Sequence, residues 1–155
     1  VNVRIENVDP QGDAALALLR EAVIDVRPLY PQFSVAKAPA PTNDPLPVRG
    51  VYVIAYVDGL PLGCGALRPL GEDVAEVRRM YVHRDHRRLG IANIILRHLI
   101  GEATQLGYST LRLETGNRQA PAIALYESFG FRPIAPFGEY LGDPTSVCYE
   151  LRLGA

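Results

Sequence analysis

The sequence predicts an α/β domain with a mixed, mostly antiparallel central sheet of about six to seven strands flanked by helices, and three observations predict it. β-prone runs cluster between residues 51 and 82. Amphipathic runs of helical period stand before and after them. One of these, after residue 82, is followed at once by another strand-like run, the signature of a crossover into a parallel neighbour. At 155 residues the chain fits a single domain over 1–155 that buries most of its apolar surface unaided. With 48% hydrophobic and 21% charged residues, and periodic segments nearly throughout, it reads as globular and not disordered.

Val1, Val3 and Ile5 alternate with polar residues and give a short first strand. Asp9-Pro10 then supplies an N-cap and first-turn signal for a helix running to about Arg27, with Leu16, Leu19, Ala22, Val23 and Val26 on one apolar face. Six prolines between residues 28 and 47 predict a loop, with room for one helical turn over 28–33. The run 51–57, the hairpin signal Asp58-Gly59, a strand from Leu62 to about Leu70, the turn at Gly71-Glu72-Asp73 and a strand over 74–82 compose an antiparallel meander. Residues 89–106 are a helix, with Ile91, Ile95 and Leu99 on one face, Ile94 beside them and Gly107 as C-cap. The strand that follows, 110–115, runs parallel to 74–82 by the crossover rule. A short helix over 120–128 presents Ile123, Tyr126 and Phe129 to the sheet and ends at Gly130. Residues 131–134 and 146–153 close the sheet around a loop rich in Pro and Gly.

The formal net charge of −1 removes the overall field on which nonspecific nucleic-acid or anionic-membrane binding relies, so any anion site is local. Neither a nucleic acid nor a membrane is expected as a partner. Cys64 and Cys148 are too few for a disulfide framework and read as reduced, structural thiols. The N-terminal residues have no apolar signal core and no apolar run approaches membrane-spanning length, which makes a cytoplasmic location the default expectation. His83, His86 and His98 lack the spacing and the companion ligands of a metal site, and no metal is expected.

The chemistry concentrates at His83-Arg84-Asp85-His86-Arg87-Arg88-Leu89-Gly90-Ile91-Ala92, between a strand and the long helix. The first N–H groups of a helix have no intrahelical partner, its dipole favours an anion there, and small residues let a phosphate approach. Arg87 and Arg88 add full positive charges, although the same residues also fit a solvated basic loop. Competing phosphate motifs fail: no G-x-x-x-x-G-K-[ST] occurs, and Gly63-x-Gly65-x-x-Arg68 lacks its third glycine and lies in a hairpin strand.

Four segments taken together, Glu76-Val-Arg-Arg-Met-Tyr-Val82, Arg87-x-x-Gly90-x-Ala92, Leu113-Glu-Thr-Gly-Asn117 and Ala124-Leu-Tyr-Glu-Ser-Phe-Gly-Phe131, resemble the GNAT superfamily of acyl-CoA-dependent N-acyltransferases. The likeness is close over residues 50–132; the first 50 and last 20 residues match only in element order. It implies acetyl-CoA as acyl-donor cosubstrate, with its pyrophosphate on Arg87, Arg88, Leu89, Gly90, Ile91 and Ala92, and its pantetheine arm beside Met80, Tyr81 and Val82. Met80 and Val82 fit core positions equally well. Asn117 matches a position contacting the pantetheine or the coenzyme tail, and reads alone as a turn residue. Tyr126 matches the general acid that protonates the departing thiolate, its phenol having an ordinary pKa of about 10. Glu76 matches a general base; strand parity puts it on the side of Met80 and Val82, and Arg78, of the same parity, offers it an ion-pair partner. A backbone N–H near Tyr81 or Val82 is the expected oxyanion donor.

The leading expectation is therefore direct acetyl transfer to a primary amine of a small molecule. Residues 28–47 and 133–145 would border the acceptor pocket, Phe137, Glu139, Tyr140 and Asp143 suiting a small cationic amine. Acetylation of a peptide or protein N-terminus or lysine is the alternative and predicts an open groove. A noncatalytic acyl-CoA-binding domain is the alternative from another class. A nucleic-acid surface built on Arg78, Arg79, Arg84, Arg87 and Arg88 is opposed by the net charge. A homodimer is an allowed assembly.

Overall fold

The runs marked as strands all form strands and join into one seven-stranded sheet in the computed structural model, which describes residues 2–31 and 41–154. The strands are β1 (Val3–Asn7), β2 (Val51–Val57), β3 (Leu60–Pro69), β4 (Val74–Val82), β5 (Thr110–Gly116), β6 (Arg132–Ile134) and β7 (Ser146–Arg152), in the spatial order β1-β2-β3-β4-β5-β7-β6. The helices are α1 (Asp13–Val26), α2 (Ile91–Gln105) and α3 (Ala120–Ser128). Only β4 and β5 pair in parallel, because α2 carries the chain from one end of the sheet back to the other. No helix among the described residues is long and apolar enough to cross a membrane.

Helix α1 starts at Asp13, not directly after Asp9-Pro10. The Asp9 side chain accepts the Gln11 N–H at 2.9 Å and its carbonyl accepts the Gly12 N–H at 3.1 Å, so the expected cap closes a turn ahead of the helix. The turn expected over 28–33 is a single 3-10 turn at Arg27–Leu29, and residues 32 and 33 lie outside the described residues.

The two faces of the sheet differ. Helices α2 and α3 cover one with Ile91, Ile95, Leu96, Leu99 and Tyr126, packed on Val53, Ala55, Val77, Leu111 and Leu113. Helix α1 covers the other, where Ala15 and Leu18 meet Tyr52, Ile54, Cys64 and Ala66. A Cβ on Gly65 would lie 2.7 Å from Ile95 Cγ2, so this glycine serves the close approach of α2 to β3.

Two irregularities position the site. Pairing of β4 with β5 runs from Val74 opposite Thr110 to Val77 opposite Leu113 and stops, although β4 continues to Val82 and β5 to Gly116. The strands part there. On the other edge of β4, Ala66 opposes Arg78 and Cys64 opposes Tyr81, so Gly65 faces two residues, Arg79 and Met80. This is a β-bulge, and Arg79 adopts φ 60° to make it. The extra residue reverses strand parity. Met80 and Val82 therefore join Val77 on the α2 face, while Glu76, paired with Arg68, stands on the opposite one. The expectation that Glu76 shares a face with Met80 and Val82 is overturned by this bulge.

Candidate active site

A slot of about 150 Å³ opens where β4 and β5 part, walled by Arg78, Met80, Glu114, Thr115, Gln119 and Tyr126 among others. Tyr126 is the buried residue of α3 and reaches the slot from that helix, with Ile123 and Phe129 half-buried beside it. Its ring meets Phe131 edge-on at 5.7 Å, and its hydroxyl makes no hydrogen bond among the described residues. Burial, and then the carboxylate of Glu114, push its pKa up. A phenol so placed keeps its proton at neutral pH and presents it to the slot.

Glu114, on β5 one residue beyond the last β4 pairing, faces the same slot. Ser146 donates its hydroxyl to Oε2 at 2.6 Å. Burial raises the Glu114 pKa; the Ser146 bond and Arg78 pull it down, and Asp143 and Glu76 push it up. The sequence reading passes over Glu114 although it lies in Leu113-Glu-Thr-Gly-Asn117, because the only signal is where the parallel pairing ends.

Glu76 is 1% exposed and closed on both oxygens. Arg68 donates through Nε to Oε1 at 2.7 Å, and Tyr140 donates its hydroxyl to Oε2 at 2.5 Å. The ion pair expected with Arg78 thus forms with Arg68, directly across the hairpin on β3. Arg68 also reaches Glu139 at 2.8 Å, so Glu76 ties β3, β4 and the loop before β7 together.

At the coenzyme-type end, a 3-10 turn (Arg84–His86) leads to Arg88 at φ 66° and Gly90 at φ 80°, and α2 begins at Ile91. Gly90 offers no side-chain cap and the first turn holds no acid, so the leading amides of Ile91 and Ala92 have no side-chain acceptor. Arg88 is exposed and makes no hydrogen bond or ion pair among the described residues. Arg87 is engaged: Nε donates to the Val82 carbonyl at 3.0 Å, and the guanidinium pairs with Asp25 of α1 at 2.9 Å. Tyr81 points to α1 as well, donating its hydroxyl to Asp25 (3.2 Å) and Glu21 (3.4 Å), so only its backbone is available at the parting of the strands. Val82 and Ile91 are buried, Leu89 is exposed and Ala92 is half-buried. Asn117 sits exposed just past β5, its N–H donated to the Thr145 carbonyl at 2.8 Å.

Arg78 and Arg79 also wall a second cleft, of about 240 Å³, on the α1 face. Its rim includes Asn43, Asp44, Leu46, Tyr52 and Arg68. Asn43 is buried and fixes three groups: it donates to the Pro10 carbonyl (2.8 Å), accepts from Arg79 Nε (2.8 Å), and its carbonyl receives Gln11 Nε2 (3.0 Å). Of the loop residues expected to draw a cationic amine, Glu139 is committed to Arg68 and Asp143 to Thr145. Neither lines this cleft.

The model of the Acetyltransferase (GNAT) family matches residues 19–131. The chain is 36% identical over 150 residues to the IAA acetyltransferase of Azospirillum brasilense, covering 96% of this chain and 97% of that one. It is 46% identical over 93 residues to the uncharacterized N-acetyltransferase YsnE of Bacillus subtilis, a match covering 59% of this chain and 62% of that relative. The match thus spans about three fifths of that relative's length. Among solved structures, an acyl-CoA N-acyltransferase from Klebsiella pneumoniae superposes with a TM-score of 0.80 at 29% identity, over 98% of each chain.

Proposed function

The chain belongs to the GNAT acetyltransferase family, and from that membership we propose that it moves an acetyl group from acetyl-CoA directly to a primary amine of a small molecule. One observation carries the reading: the slot between β4 and β5 brings Tyr126 and Glu114 together at the end of an unpaired strand edge. The residues present suit such a coenzyme. The uncapped amides of Ile91 and Ala92, with Arg88 beside them, are donors for a pyrophosphate. Arg87 would join them on release from Asp25. The edge of β4 from Met80 to Val82, paired with β3 and released by β5, is a template for an extended arm, and Asn117 stands at the end of β5 for its tail.

When bound, acetyl-CoA supplies an acetyl group activated as a thioester. The amine nitrogen forms a bond to the carbonyl carbon, the carbon–sulfur bond breaks, and the amine proton needs an acceptor. Glu114 takes that role, since it faces the slot with a pKa raised by burial toward the range a base requires. Glu76, matched by resemblance to this task, has both oxygens occupied and acts by positioning. Tyr126 gives its proton to the departing thiolate, and a backbone N–H of β4 beyond the bulge donates to the carbonyl oxygen as charge develops. Holding the two reactants together supplies much of the remaining acceleration. The cleft of about 240 Å³ has room for a small acceptor beside the slot.

The test is CoA release across a panel of amines by wild type and Tyr126→Phe. Wild type turns over and the variant, folded by circular dichroism, loses about a hundredfold in kcat. No release with any amine, or an unaffected variant, would overturn the mechanism.

A further inference from the structure

Arg78 is the one residue besides Arg79 that walls both the slot and the α1-face cleft, so it stands where the acceptor must meet the thioester. In a regular strand, residues 78 and 79 would point to opposite faces. Here the bulge, with Arg79 at φ 60°, turns both toward the same cleft. A non-glycine residue in this region is uncommon and persists where its surroundings hold it, and Asn43 holds Arg79 through Nε.

The charges of the cleft do not cancel. Arg68 is neutralised by Glu76 and Glu139. The side chain that Arg79 Nε meets is a neutral amide, and Arg78, half-buried, makes no hydrogen bond or ion pair among the described residues. Asp44, exposed on the rim, is the only acid lining the cleft among the described residues. Glu114 and Glu139 act on Arg78 only at longer range, and no carboxylate meets either of the two adjacent guanidinium groups at ion-pair distance among the described residues, so the pair is set to take up an anion. Resting on the acetyltransferase reading above, we propose that the acceptor is a small amine that also carries a carboxylate, and that Arg78, supported by Arg79, binds this carboxylate in the cleft and so presents the amine to the slot. The planar fork of Arg78 fits a carboxylate in a two-point contact, and the half-buried setting strengthens it. This replaces the cationic amine expected from Glu139 and Asp143, both of which have other partners.

Two measurements on the full chain separate this inference from the acetyltransferase reading. In the first, kcat/KM is measured for matched amines with and without the acid: phenylalanine, phenylalaninamide and phenethylamine, and the same trio built on leucine. The acid of at least one trio is preferred by about tenfold or more, the scale of one charge-assisted two-point contact, and Arg78→Gln erases the preference while CoA affinity stays within about twofold. In the second, N-acetylphenylalanine and N-acetylleucine are titrated calorimetrically against the CoA-saturated protein, alongside their uncharged amides. The acids bind tighter than the amides to wild type and equally to Arg78→Gln. This readout needs no turnover, so absence of CoA release would count against the catalytic reading alone. Equal binding of acids and amides to wild type, a preference for phenethylamine or leucine's decarboxylated analogue, or a tenfold loss of CoA affinity in Arg78→Gln would each overturn the inference.

Discussion

The face of the sheet under α2 and α3 and the face under α1 are built on different physical terms. Under α2 the packing is apolar: Ile95, Leu96 and Leu99 have no exposed surface and pack on Val53, Ala55 and Leu111. Under α1 the same strands carry Glu76, Arg68, Arg79 and Tyr52, held in polar contacts such as Arg68 to Glu139, 71 positions apart, with Arg78 beside them. Burial is non-directional and tolerates small displacements; hydrogen-bonded ion pairs fix positions and are costly to break. The apolar face therefore sets stability and the polar face sets the geometry of the site. The bulge at Arg79 is where a strand passes from one regime to the other.

The largest break in that contrast is expected from Leu96→Ala. Removing this side chain from the middle of α2 should cost about 2–5 kcal/mol in urea unfolding, with kcat of the folded enzyme unchanged within about twofold. Loss of kcat as large as the loss of stability would show that the apolar face also tunes the site.

Tyr140→Phe tests the other face and comes next. It deletes the hydrogen bond to the buried Glu76 carboxylate and leaves Arg68 in place, so about 1.5 kcal/mol of stability should go. Because Tyr140 ties the loop before β7 to β4, KM for the acceptor should rise more than kcat falls. An unchanged KM would remove that loop from the acceptor site.

Glu114→Gln follows, with about a tenfold loss of kcat/KM at neutral pH, or roughly 1.4 kcal/mol. The sign of its pH dependence is fixed by the direction of the shift. A base works deprotonated, so activity rises with pH through its pKa, and burial moves that rise above the ordinary carboxylate value of about 4.3. The acid limb should vanish in the variant. A limb that persists in Glu114→Gln and disappears in Glu76→Gln would return the role of base to Glu76.

The two faces are also unequally legible in the sequence. The strand over 74–82 and the helix over 120–128 are recognisable to the residue, because turn and breaker residues bound them: Gly71-Glu72-Asp73 before the strand and Gly130 just after the helix. The loop proposed to take an anion, Arg87 to Ala92, stands out in the sequence because its residues are contiguous. The bulge is not: nothing in Glu76-Val-Arg-Arg-Met80 marks Arg79 for φ 60°, and the requirement comes from Gly65 across the hairpin, pressed against Ile95. Parity reasoning fails at that one residue and carries Glu76 to the wrong face. The partners of Glu76, Arg87 and Arg79 lie 8, 62 and 36 positions away, on β3, on α1 and in the loop before β2, and periodicity does not encode which of them meet.

The smallest effect expected is at Asp25, and it concerns how the α1 face reaches the coenzyme loop. Asp25 accepts both Arg87 and the Tyr81 hydroxyl, so it holds Arg87 away from the helix start where a pyrophosphate would sit. Arg87 is half exposed, and such an ion pair contributes about 1 kcal/mol or less. Asp25→Asn keeps a hydrogen-bond acceptor for Tyr81 and removes the charge that competes for Arg87. CoA should then bind up to about fivefold more tightly by calorimetry, with the gain shrinking as salt screens the released charge. Adding Arg87→Gln to both the wild type and the Asp25→Asn variant should abolish the difference between them, since the competition acts through that guanidinium alone. Weaker CoA binding in Asp25→Asn would mean that Asp25 orients Arg87 toward the anion, making the ion pair part of the coenzyme site and not a rival to it.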